Sequence, residues 1–211
     1  EAQRKDEFLA MLAHELRNPL APIRNGVSIL QLDLGDDPEK RDLLAMMDRQ
    51  VGQMVRLVDD LLDVSRILRG KIGLQCEVLD LPTLIQQAAE TAQSLIVTQQ
   101  HELTFTFGPG PMHIDGDATR LAQVFANLLN NAAKYTDPGG RIRVDVQRTK
   151  DGMIATTVTD NGMGISAEML TRVFDLFSQA ERSLDRSQGG LGLGLTLVRR
   201  LVEMHGGCVE A

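Results

Sequence analysis

The stretch Leu9-Ala10-Met11-Leu12-Ala13-His14-Glu15-Leu16-Arg17-Asn18-Pro19-Leu20 decides how the first third of the chain folds. Its apolar pattern continues through positions 9, 13, 16, 20, 23, 27, 30 and 34, which read Leu, Ala, Leu, Leu, Ile, Val, Leu and Leu. Steps of four and three return side chains to one face of an α-helix, so the spacing predicts a long helix from about Asp6 to Leu34 with one apolar stripe. Gly35-Asp36-Asp37-Pro38 supplies a turn, and positions 44, 47, 51, 54, 58, 61, 65 and 68 repeat the pattern as Leu, Met, Val, Met, Val, Leu, Ser and Leu. The result is a helical hairpin. Two helices cannot bury both stripes alone, so the simplest completion is a second copy, giving a dimeric four-helix bundle; an isolated antiparallel coiled coil is the alternative.

His14 belongs to the other face. At about 100° per residue it points roughly 150° from the mean direction of the stripe, toward solvent. Asn18, one turn on and rotated by about 40°, shares its face. Pro19 and Pro22 each remove a helical hydrogen bond, freeing the carbonyls of Glu15 and Asn18 at about 3 kcal/mol apiece, so a bend is expected just after His14 in a helix that the heptad carries through. A zinc-protease HExxH motif is excluded because Asn18 stands where the second histidine would be. An exposed neutral imidazole beside a carboxylate is instead a competent nucleophile: the carboxylate orients or takes one ring proton while the other nitrogen attacks.

Composition narrows the remaining options. The 211 residues are 43% hydrophobic and 24% charged, enough for one or two cores in a globular protein. A formal net charge of −7 argues against a general nucleic-acid or anionic-membrane binder, so any bound phosphate would be held by local geometry. Cys76 and Cys208 are far apart and suggest neither a zinc knuckle nor a disulfide framework, and the four histidines lack metal-ligand spacing. No run approaches the roughly 18 apolar residues of a membrane span, and no signal peptide is recognisable. The expected compartment is the cytoplasm, with any membrane anchor belonging to a longer parent. A start at Glu1 without methionine and a stop inside the strand-like Cys208-Val209-Glu210-Ala211 are read as signs of a fragment.

After Gly70 the pattern changes, so the expected domains are 1–70 and 71–211. Leu74 to Leu79 reads as a short strand, followed by a helix to about Val97 with Asp80 as N-cap and Pro82 in its first turn. His101 to Phe107 and Met112 to Asp115 read as strands and Asp117 to Tyr135 as a helix. Arg141 to Arg148 and Met153 to Asp160 form two strands across Lys150-Asp151-Gly152. Short helices follow, and the last runs from about Leu193 to His205 with Gly206 as C-cap. His205 there is expected to carry a partial positive charge favourable to the helix dipole. Mixed strands with helices able to cover one face make this part an α+β sandwich.

Two loops and one helix in this half carry polar chemistry. Asp160-Asn161-Gly162-Met163-Gly164 follows an apolar strand, and Gly189-Gly190-Leu191-Gly192-Leu193-Gly194 opens the last helix. A glycine-rich helix N-terminus presents backbone N–H groups that suit phosphate oxygens, although neither loop matches a dinucleotide or P-loop fingerprint. Asn127, Asn131 and then Lys134 or Tyr135 repeat on one helix face, placing amide oxygens and a cation where a metal-nucleotide could sit.

Phe8-Leu-Ala-Met-Leu-Ala-His14-Glu15-Leu-Arg-Asn18-Pro19-Leu20 resembles the H-box of sensor histidine kinases. Gln123-Val-Phe-Ala-Asn127-Leu-Leu-Asn-Asn131-Ala-Ala-Lys134-Tyr135-Thr136 resembles their N-box, Asp160 to Gly164 the G1 box, Phe174-Asp-Leu-Phe177 the F-box, and Gly190-Leu-Gly192-Leu-Gly194-Leu195 the G2 box. All five stand in the family's order and span nearly the whole chain. The resemblance implies an N-terminal dimerisation and histidine phosphotransfer domain, followed by an α/β sandwich of the histidine-kinase ATPase type. It implies a protein histidine kinase acting on ATP with Mg²⁺, a homodimer, and a response-regulator receiver domain as partner; nucleic acid and direct membrane contact are not expected.

The residue roles come from the same resemblance. His14 would be the phosphoacceptor, Glu15 the general base on its other nitrogen, and Asn18 a residue for dephosphorylating the partner. Asn131 would ligate Mg²⁺ next to Asn127, Lys134 and Tyr135 would approach phosphates or ribose, and Asp160 would accept a bond from the adenine amine. Gly162 and Gly164 would let the backbone near the base. Phe177 and Leu195 belong to motifs lining the nucleotide site, and Gly190, Gly192 and Gly194 would shape its phosphate side. Asp175 to Gly189 would be the ATP lid, with Arg182 or Arg186 toward the γ-phosphate, and residues 69–72 the hinge. The family's sandwich continues with further strands after Gly207. The rival readings are a conformational ATPase of the same superfamily and an inactive dimeric scaffold. The first would need a glutamate where Asn127 stands.

Overall fold

The structure is a computed structural model, and it describes residues 23, 25–27, 30, 38–68, 73–176, 178 and 192–211. The chain divides into two compact units, Glu1–Ile72 with Gln188–Leu193 and Gly73–Ser187 with Gly194–Ala211. Most of the first expected helix, including the bend at Pro19, lies outside the described residues. Its described positions Ile23, Asn25–Val27 and Leu30 are helical, and Val27 is buried while Ile23 and Leu30 are exposed.

Helix α1 spans Pro38–Leu68. Proline is well placed at its first position, where the missing N–H costs nothing. The buried residues are Leu44, Val51, Val58, Leu62 and Val64, and Val55 packs against the Val51, Val58 and Leu62 cluster. The buried row therefore runs through Val55 and Leu62 rather than Met54 and Leu61. Met47 and Met54, expected in the stripe, are exposed together with Leu43 and Met46. The helix is apolar over a wider arc than one buried seam uses, and these four side chains form a second, uncovered strip.

The second unit begins with β1 (Glu77–Asp80), α2 (Leu81–Glu90) and α3 (Gln93–Thr98). β2 (Glu102–Phe107), β3 (His113–Gly116) and α4 (Ala118–Tyr135) follow. β4 (Arg141–Arg148), β5 (Ile154–Asp160), α5 (Ala167–Leu170) and α6 (Gly194–Met204) complete it. β1 and β3 pair antiparallel. A separate three-stranded sheet has the order β2-β4-β5, with β2 parallel and β5 antiparallel to β4. Alternation decides which face is covered: Ile142, Val144 and Val146 of β4 are fully buried, while the alternating Arg141, Arg143 and Gln147 face water. Ile85, Ala88 and Ala89 of α2 and Leu121, Phe125, Leu129, Ala132 and Ala133 of α4 join them in one core. Each large apolar side chain so buried contributes about 1.5–3 kcal/mol.

Three elements differ from the sequence expectation. The helix after Asp80 is two helices, because Thr91 and Ala92 close tight turns onto Ala88 and Ala89 and the Thr91 hydroxyl donates to the Ala88 carbonyl at 2.7 Å. Asp80 does cap it as expected, its carboxylate accepting the Thr83 N–H at 3.2 Å. The first strand starts at Glu77 rather than Leu74, since Gln75 spends its N–H on the Asp117 carboxylate at 3.0 Å instead of on a ladder. The last helix ends at Met204, where Gly206 takes φ +75° and donates to the Glu203 carbonyl.

Candidate nucleotide site

Helix α4 is aimed from its first residue. Asp117 has extended dihedrals, and its carboxylate accepts the Arg120 N–H at 3.1 Å and the Gln75 N–H at 3.0 Å. Burial alone would raise the pKa of this carboxyl. Hydrogen bonds from the Gln75, Arg120 and Thr119 backbone together with the Arg120 charge outweigh it, leaving the pKa below the usual carboxylate value. The apolar row of α4 turns into the core and leaves Asn127, Asn131, Lys134 and Tyr135 half-buried on a neighbouring face. Asn130 does not join them, because its amide folds back onto the Ala126 carbonyl at 2.8 Å. Among the described residues, no hydrogen bond engages the side chain of Asn127 or Asn131. Lys134 Nζ lies 3.1 Å from the Tyr135 hydroxyl and 4.7 Å from its ring centre, so the cation is held against its neighbour.

The turn after β5 is tied to the end of this helix. Asp160 Oδ1 accepts the Gly162 N–H at 2.9 Å, and Met163 donates to the Tyr135 carbonyl at 3.2 Å. A Cβ at Gly162 would lie 2.2 Å from the Tyr135 carbonyl oxygen, and Gly164 takes φ +67°. Asn161 secures the other side by accepting the Arg141 N–H at 2.6 Å. At the start of α6, a Cβ at Gly194 would come 3.4 Å from Asn127 Oδ1. The asparagine row is therefore flanked by the Asp160 turn at the C-terminal end of α4 and by the α6 N-terminus beside Asn127. Leu195 is half-buried in the first turn of α6, and Gly192 takes φ +69°. His14, Glu15, Asn18, Phe177, Gly190, Arg182 and Arg186 lie outside the described residues, as does most of the expected lid.

Two polar positions escaped the sequence reading, and a third differs from it. The Thr196 hydroxyl is buried in α6 without a partner among the described residues. His101 is buried, and its Nε2 donates to the Ala133 carbonyl at 2.9 Å, closing the last turn of α4. The expectation of a partial positive charge on His205 is corrected. Its Nε2 accepts the Asp117 N–H at 3.0 Å, so the proton sits on Nδ1, which donates to the Leu201 carbonyl at 2.7 Å. A charged ring would place a second hydrogen against the Asp117 N–H. Only a contact across 88 positions reveals this. Among the described residues no three His, Cys, Asp or Glu side chains cluster as a metal site. No described helix is long and apolar enough to cross a membrane.

Two family models match this chain. Residues 4–70 match the His Kinase A phospho-acceptor domain, and residues 116–211 match the histidine kinase-, DNA gyrase B- and HSP90-like ATPase. The signal transduction histidine-protein kinase BaeS of Escherichia coli is 33% identical over 99% of this chain and 44% of its own length. The full-length ShkA structure in complex with AMPPNP superposes with a TM-score of 0.77 at 28% identity, covering 97% of this chain and 42% of that one. The mycobacterial sensor histidine kinase MprB gives a TM-score of 0.54 at 31% identity, covering 64% of this chain and 83% of that one. The chain spans less than half the length of the curated relatives it matches. The asparagine helix lies within the ATPase match and His14 within the phospho-acceptor match, and with the likeness to MprB they place the chain in one family: it belongs to the sensor histidine kinases of two-component signalling.

Proposed function

We propose that this chain is a histidine kinase core that transfers the γ-phosphoryl group of ATP to His14 and then to an aspartate of a response-regulator receiver domain. In this reading residues 1–70 dimerise and carry the phosphoacceptor, and residues 71–211 bind ATP. The observation that carries it is the row Asn127, Asn131 and Lys134 on α4, bordered by the Asp160 turn and the start of α6. Asp160 keeps one carboxylate oxygen on Gly162 and offers the other to the adenine amine. Lys134 and Tyr135 meet phosphates or ribose, and the α6 N–H groups around Gly194 meet phosphate oxygens. The uncommitted amides of Asn127 and Asn131, one turn apart, are oxygen donors of the kind Mg²⁺ takes; bound there, the ion would neutralise phosphate charge.

In the transfer, a ring nitrogen of His14 forms a bond to the γ-phosphorus as the bond to the bridging oxygen breaks and ADP leaves. Glu15 takes or orients the proton on the other nitrogen. Positioning and charge neutralisation supply most of the catalysis. Asn18, one turn on from His14, serves dephosphorylation of the partner. The exposed Leu43, Met46, Met47 and Met54 support pairing of two copies through α1. The reaction runs in the cytoplasm, where ATP is available.

The test is incubation with γ-labelled ATP and Mg²⁺, comparing the parent with His14→Gln and Asn131→Ala. An acid-labile, alkali-stable label on the parent, lost in both variants, is expected. Label surviving His14→Gln overturns the acceptor assignment. ATP hydrolysis without protein label would favour the conformational ATPase.

A further inference from the structure

We infer that His205 is a positioning residue for the nucleotide site, acting by setting the register of α6 along α4; this rests on the function proposed above. The N–H of an N-cap residue has no partner inside its own helix. At Asp117 that group is taken by His205 Nε2 at 3.0 Å, while Nδ1 donates to the Leu201 carbonyl at 2.7 Å and so locks the ring to its own helix. The ring also packs on Gly116, where an added Cβ would lie 3.2 Å from His205 Cδ2 and 2.6 Å from Leu121 Cδ1. Asp117 is held independently by Gln75, Arg120 and Leu121. It is a fixed point rather than a follower.

The two helices then meet again near the site. Gly194 abuts Asn127, so α4 and α6 run antiparallel and touch at two marks. From Asp117 to Asn127 the helical rise is about 15 Å, and from His205 back to Gly194 about 16 Å. The spans match. Leu197, Val198 and Leu201 of α6 are fully buried between these two positions, and apolar burial of this kind is non-directional. The directional bond at Asp117 selects one position along α4, and that position puts the α6 N–H groups beside Asn127.

The measurement uses the whole chain in three forms, parent, His205→Leu and His205→Gln, titrated with AMPPNP and Mg²⁺ alongside thermal melts. The histidine tautomer in the parent is read by nitrogen NMR. Glutamine presents an oxygen that can accept the Asp117 N–H, whereas leucine cannot. The expected result is a ring protonated at Nδ1, AMPPNP binding weakened about fivefold to tenfold by leucine, and most of that loss recovered by glutamine. A ring protonated at Nε2, leucine and parent binding alike, or equal losses in both variants overturns the inference alone. A parent that binds no AMPPNP overturns the functional reading and this inference with it.

Discussion

A methyl group at position 162 would sit 2.2 Å from the Tyr135 carbonyl oxygen and 2.8 Å from its carbonyl carbon, and both are backbone atoms that cannot swing away as a side-chain end could. Gly162→Ala must therefore push the Asp160 turn off the end of α4 and strain the Met163 bond to Tyr135. Overpacking of this kind costs about 1–3 kcal/mol, and the expected outcome is a lower melting temperature with AMPPNP affinity reduced by about tenfold or more. Unchanged binding would show that the turn carries no part of the site. The glycine itself was legible in the sequence, where the family motif implied a close approach to the nucleotide base. The structure adds a different constraint, the end of α4, which no motif records. His205 shows the reverse case. Its place at a helix end suggested a charge for the dipole, and the tautomer its hydrogen bonds require depends on an N–H distant in sequence.

Helix α4 was legible from its amphipathic pattern, its Asp117 cap and the four-residue step between its asparagines. What the pattern could not say is how much is fastened to its N-terminus. Because Asp117 has a folded pKa below its unfolded value, it contributes stability that is present above the ordinary carboxylate pKa and is lost as pH falls through the lowered folded value. Asp117→Asn can keep the Arg120 cap bond with its one acceptor oxygen, but it removes the charge and the second acceptor that Gln75 uses. The expected outcome is a variant less stable than the parent at neutral pH, with the gap closing below about pH 4. Denaturant melts of both proteins across that range check it, and a gap that stays constant with pH would overturn the role of the carboxylate charge. The break between α2 and α3 was not legible, since Thr91 is compatible with a helix and its hydroxyl bond to Ala88 is available to many threonines.

Across the whole molecule, the uncovered strip on α1 bears on assembly. Leu43, Met46, Met47 and Met54 are each close to half exposed, and a second copy packing there would bury them without disturbing the Val51, Val58 and Leu62 cluster. Replacing Met47 and Met54 by glutamate should leave the monomer folded, because neither side chain is in its core, while raising the dimer dissociation constant at least roughly tenfold through lost apolar burial and two buried charges. Solution mass measured over a concentration series reads this directly. Unchanged mass in the double variant would exclude this strip as the dimer face. Local periodicity in the sequence by itself determined where most helices and strands lie and which residues of α4 face the core, because those properties depend on neighbours within one or two turns. The tertiary structure decided which apolar row of α1 is buried, why Gly162 admits no side chain, and which histidine nitrogen holds the proton. The last two depend on atoms far away in sequence that only packing brings within contact distance.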